Sequence, residues 1–134
     1  MAAFRKNIQG RFEDVETELV RRLAQRGFGV LSRIAFHEVL EQKIDKKIEP
    51  YVRLGVCNPK LAYEALEAER GVGAVLPCAV ALRELPEGAV EVAFLRPEEA
   101  FVLATGASSP TLERLAQTVE AALREVVEEL EVAS

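Results

Sequence analysis

Both cysteines of this 134-residue chain sit in short stretches that could do chemistry. Cys57 lies in Arg53-Leu54-Gly55-Val56-Cys57-Asn58-Pro59, and Cys78 in Leu76-Pro77-Cys78. A thiolate is a nucleophile and a soft metal ligand, and a helix N-terminus beside a thiol lowers its pKa. Asn58 followed by Pro59 reads as such an N-terminus, with asparagine at the N-cap and proline in the first helical position. Cys57 is therefore a candidate nucleophile or redox centre. Together with Asn58, Cys78 and Arg53 it is also a candidate ligand site. His37 is the single histidine, so a three-ligand metal site would need Cys57, Cys78 and His37 to converge.

Each candidate has a plainer explanation. Buried free cysteine packs as a small hydrophobe, and Asn58, Pro59 and Pro77 can serve local structure alone. His37 opens a short helix, where a solvated or capping histidine is the ordinary case. A Cys57–Cys78 disulfide would need α-carbons within roughly 7 Å. No G-x-S-x-G supports a serine triad using His37, and no motif supports a Cys57–His37 pair. Gly27-Phe28-Gly29 follows a helix rather than a strand, and Gly71-Val72-Gly73 lacks a third glycine and a following helix. No cofactor class is singled out.

The totals describe an ordinary globular chain, with 49% hydrophobic and 29% charged residues. Its length suits one domain spanning residues 1–134. A net charge of −5 weighs against nucleic-acid binding, which needs a basic footprint. No apolar run is long enough to cross a membrane, and the N-terminus lacks the apolar core of a signal peptide. The expectation is a cytoplasmic protein with reduced cysteines.

The elements that must position these residues follow from periodicity. Phe12, Val15, Leu19 and Leu23 make one helical stripe over Phe12–Arg26. Phe28–Phe36 alternates as a strand, with Leu31, Arg33 and Ala35 on one side and Val30, Ile34 and Phe36 on the other. His37–Ile44 is a short helix with Val39, Leu40 and Ile44 inward. Tyr51–Cys57 is a strand leading into the Pro59 helix. Val75–Leu85 is an extended run bulged at Pro77, and it forms a hairpin with Ala89–Leu95. A short helical turn after Pro97 leads to a mobile loop over residues 105–109. Leu112, Ala116, Val119, Leu123, Val126 and Leu130 then mark a long last helix that must cover a sheet. The fold class is α+β, a mostly antiparallel sheet with helices on one face.

The chain resembles the domain-of-unknown-function family numbered 302. The resemblance rests on Gly27-Phe28-Gly29-Val30-Leu31, on Leu54-Gly55-Val56-Cys57-Asn58-Pro59 with Leu61-Ala62, and on Leu76-Pro77-Cys78. The family commonly has asparagine after the last cysteine, where this chain has Ala79. The resemblance implies a TATA-binding-protein-like α+β sandwich, seen as dimers, and no established function.

Strand parity adds one constellation. The sheet face away from the helices would carry Arg33, Arg53 and Arg83 among alanines and glycines, with Arg83 opposite Glu91. That face could be solvated, a homodimer interface or an anion-binding saddle. Three functions stay open: a small-ligand or metal-binding module near Cys57, Asn58 and Cys78; a thiol-dependent enzyme or redox sensor using Cys57; and a structural homodimer.

Overall fold

The computed structural model of the protein describes residues 3–106 and 109–133. Its centre is a five-stranded antiparallel sheet in the order β1-β5-β4-β3-β2. The strands are β1 (Ala3–Gln9), β2 (Gly29–Ala35), β3 (Tyr51–Cys57), β4 (Cys78–Leu85) and β5 (Ala89–Leu95). The helices are α1 (Phe12–Gln25), α2 (Phe36–Ile44), α3 (Pro59–Ala68), α4 (Pro97–Thr105) and α5 (Pro110–Ala133). A 3-10 helix over Arg70–Val75 separates α3 from β4. The fold is α+β with a long C-terminal helix, as the patterning predicts.

One sheet face is aliphatic because the central strands β3, β4 and β5 place Val, Leu or Phe there at period two. Val52, Leu54, Val56, Val80, Leu82, Val90 and Val92 are all fully buried. The α1 stripe Phe12, Val15, Leu19 and Leu23 covers this face, together with Val119, Leu123, Val126, Val127 and Leu130 of α5. The first turns of α5 do something else. Leu112, Leu115 and Ala116 join Ala65, Val72, Ala100 and Phe101 in a second core made of helices alone. So α5 covers the sheet over its second half only.

Three expectations change. First, a bulge in β2 breaks its alternation. The register with β3 shifts between Val30 and Ser32, leaving Leu31 without a partner position. Beyond it, Arg33 stands opposite Leu54 and Ala35 opposite Val52, both on the core side, while Ile34 stands opposite Arg53. Arg33 therefore points toward α1 and grips Glu16 through two bonds of 2.7 and 3.0 Å. Ile34 and Ala35 also leave the faces assigned to them. Second, α2 buries nothing. Val39 and Ile44 are 42% and 60% exposed rather than inward. Third, Pro77 does not bulge a strand. It stands just before β4, after a cis peptide bond, and the preceding residues are the 3-10 helix. In the expected loop over 105–109, Thr105 closes α4 and Gly106 caps it at φ 69. Residues 107–108 lie outside the described residues.

Candidate functional site

The two cysteine-bearing stretches meet at one corner of the sheet. Cys78 pairs with Val56, so Cys57 stands one residue further along the neighbouring strand. Gly55 is fully enclosed there. A β-carbon on it would fall 2.6 Å from Pro77 Cγ and collide with Ser32 Oγ. Only a residue without a side chain lets the Pro77 ring sit against this strand. Asn58 ties in a third segment. Its Oδ1 accepts from the Leu61 N–H at 3.2 Å, capping α3, and its Nδ2 donates to the Arg26 carbonyl at 3.4 Å. Gly27, at φ 81, brings the chain so close that a β-carbon would lie 3.0 Å from that same Nδ2. Asn58, Gly55 and Pro77 thus clamp the end of α1, the start of α3 and the entry to β4 together.

The corner does not enclose a ligand cavity. The space lined by Val56, Cys57, Asn58, Leu61, Leu76 and Cys78 measures about 20 Å³, room for about one water. Both thiols are free. Burial pushes the Cys57 thiol up, and it pushes Cys78 to about 11, with the neighbouring Cys57 adding to the rise. The lowered pKa expected of Cys57 beside a helix N-terminus is not seen. The cause is the loss of water around the sulfur, and the first-turn donor at Leu61 is already taken by Asn58.

His37 is far away. The Tyr51 N–H donates to its Nδ1 at 3.0 Å, at the opposite end of β3 from Cys57. Six residues of strand put them about 20 Å apart. The expected Cys57, Cys78 and His37 ligand set does not converge. Among the described residues, no group of three or more His, Cys, Asp or Glu is placed to hold a metal ion.

A broad concavity lies on the other side of the sheet. The face without helices carries a hollow of about 490 Å³, lined by Arg5, Phe36, Tyr51, Arg53, Arg83 and Glu91 over Ala79, Ala81 and Ala93. This lies within the usual size range for small-molecule sites. Facing residues of paired strands share a side. One row across the sheet therefore reads Ile34, Arg53, Ala81, Ala93, Arg5. The next reads Tyr51, Arg83, Glu91, Asn7. In the second row Arg83 is neutralised by Glu91 at 3.4 Å and Glu49 at 3.6 Å, the cross-strand pair that parity predicts.

Arg53 is different. The half-buried arginines Arg22, Arg26, Arg83 and Arg96 each hold at least one carboxylate. Arg53, equally half-buried, is the one such arginine without an acidic partner among the described residues. Arg5 is exposed and likewise unpaired. Arg53 and Arg83 were legible from strand parity. Arg33 was misplaced by the bulge, so Ile34 takes the β2 place in the row, and Arg5 was missed because β1 pairs with β5, a contact between segments far apart in the chain that no local pattern announces.

A further hollow of about 210 Å³ lies between α4 and α5, lined by Phe101, Val102, Leu112 and Ala116 with Glu98 and Glu113. No cation or thiol is among its lining residues.

The family model described as "Domain of unknown function DUF302" matches residues 4–130. The crystal structure of an uncharacterized conserved DUF302 protein from Bacillus stearothermophilus is similar at a TM-score of 0.85. It is 26% identical, with 96% of this chain and 97% of that one covered. No curated protein matches.

Proposed function

The chain belongs to the DUF302 family of domains of unknown function, and from that premise we propose that it is a small-ligand-binding module whose site is the open sheet face. The observation that carries this reading is Arg53. Arg53 is half-buried and has no carboxylate partner among the described residues, while the other half-buried arginines each hold one, so its five donors are left for a ligand to meet. It sits in a hollow of about 490 Å³ with a second unpaired cation, Arg5. The ligand that completes it is a small organic anion, held by the guanidinium fork.

The site thus moves from Cys57, Asn58 and Cys78 to Arg53. The corner at Cys57 has sufficient structural reasons for its residues and too little room for a ligand. The thiol-enzyme or redox alternative gains least support, since both thiols are shifted toward the inert protonated form. Free cysteines suit a reducing, cytoplasmic setting, which we include in the proposal. No helix among the described residues is long and apolar enough to cross a membrane.

A magnetic-resonance titration tests the site. Butyrate or methyl phosphate, but not butyramide, should shift the amides of Arg53, Ala81 and Ala93. Arg53→Gln should abolish the shifts and Cys57→Ser should keep them. Shifts centred on Cys57 and Cys78 would return the site to the corner.

A second reading concerns assembly, and it rests on α2. That helix has no buried residue, and a run of aliphatic side chains lies exposed along β2, α2 and the loop beyond: Leu31, Ile34, Val39, Ile44 and Ile48. We propose that these cover one another in a homodimer.

A further inference from the structure

We infer that the open sheet face takes a bis-anion, a small molecule with an anionic group at each end of an uncharged body a few atoms long. The inference rests on the reading of that face as a ligand site and names the class of ligand. The unpaired cations come as a pair in one register row. Arg53 stands on β3 and Arg5 on β1, and between them the row holds only Ala81 and Ala93. Three strand spacings set their α-carbons about 14 Å apart. The two alanines keep the floor low, so a ligand can lie across it and meet a guanidinium at either end.

The neighbouring rows limit where an anion can go. On one side, Arg83 is occupied by Glu91 and Glu49, and the Glu91 carboxylate repels a second anion. On the other, Gly55 is covered by Pro77, and Ala79 offers no polar side chain. Among the described residues, only the Arg53–Arg5 row presents uncompensated positive charge on this face. It does so in a chain of net charge −5, where a non-specific anion is otherwise repelled.

Calorimetric titration with the α,ω-dicarboxylates from malonate to suberate tests this, with the monocarboxylate of equal length beside each. A second arm uses the bisphosphates of the matching diols, and preference for either series satisfies the inference while identifying the end group. One intermediate length should bind at least tenfold tighter than its monoanion. Arg5→Gln should remove that advantage. Arg53→Gln should weaken both, and Arg11→Gln, an exposed arginine elsewhere, should change neither. If bis-anions bind no tighter than monoanions while Arg53→Gln still weakens both, the ligand is a single anion and this inference is overturned alone. An advantage that survives Arg5→Gln also overturns it. If no anion binds the wild-type chain, the reading of the face as a ligand site falls as well.

Discussion

At Cys57 and Cys78 the sulfur's surroundings decide its chemistry. Cys78 is buried against Val56 and its neighbours, and its thiol is held at about 11 rather than the ordinary 9.0. Cys57 is shifted the same way, by burial. A raised pKa favours the protonated thiol in the folded chain. The stability that this confers is fully present below 9.0, where both states are protonated, and is lost as pH rises through about 11, because the unfolded chain ionises first. Two outcomes follow. Denaturant unfolding measured between pH 7 and 11 should show stability flat to about pH 9 and then falling, with the fall reduced in Cys78→Ala. At pH 8 native Cys57 should alkylate more slowly than free cysteine, and Cys78 more slowly still. Faster alkylation of Cys57 would restore the thiol-enzyme reading.

Among the elements, the α1–β2 and β3–α3 junctions are coupled through Asn58. Its side chain caps α3 at Leu61 and reaches back to the carbonyl of Arg26. Asn58→Ala should cost about 1–2 kcal/mol in denaturant unfolding, a typical cap loss. Asn58→Asp keeps an acceptor for Leu61 but loses the donor to Arg26, so it should fall between wild type and Ala. Equal stability of Asp and Asn variants would show that the Arg26 bond contributes nothing. Half of this was legible, since the Asn-Pro pair announces a helix start. The tie to Arg26 was not, because it spans a contact at a separation of 32 residues. The same limit explains the other misplacements. Sequence parity assumes unbroken alternation, and the bulge at Leu31 moves Arg33 to the helix side without any glycine or proline to mark it. The periodicity of α2 resembles that of α1, yet whether an apolar stripe is covered depends on where the chain places it.

For the molecule as a whole, the unbalanced feature is the apolar run along β2 and α2. Exposed β2 is also a sheet edge. Val39→Glu and Ile44→Glu each remove an aliphatic side chain that pairing would cover, worth about 1.5–3 kcal/mol when fully buried. Each should therefore weaken a dimer by about tenfold or more. Sedimentation velocity at micromolar concentration should show a wild-type dimer and a larger monomer fraction in both variants. A wild-type monomer would end this reading of α2. The expected interface over the alanine floor is tested in the same run. Ala81→Arg should leave the dimer intact if β2 and α2 form it, and should disrupt it if the open faces pack together. Fold class and the α5 stripe were readable because they follow from periods within one element. Assembly and ligand choice were not, because they depend on rows that cross five strands.

The corner where Pro77 lies against Gly55 has a consequence for kinship. The stretches expected to mark the family include Gly55, Asn58 and Pro77, and these three are engaged in holding three backbone segments together. The hollow that could hold a ligand extends from the next register rows of the same open face, and its Arg5 and Arg53 take no part in that clamp. A relative could therefore keep the whole signature, and with it the fold, while exchanging Arg5 and Arg53 for residues of another chemistry. Shared ancestry at the corner would then be compatible with different ligands, and the register row from Ile34 to Arg5 would be the place to sort the family by what its members bind.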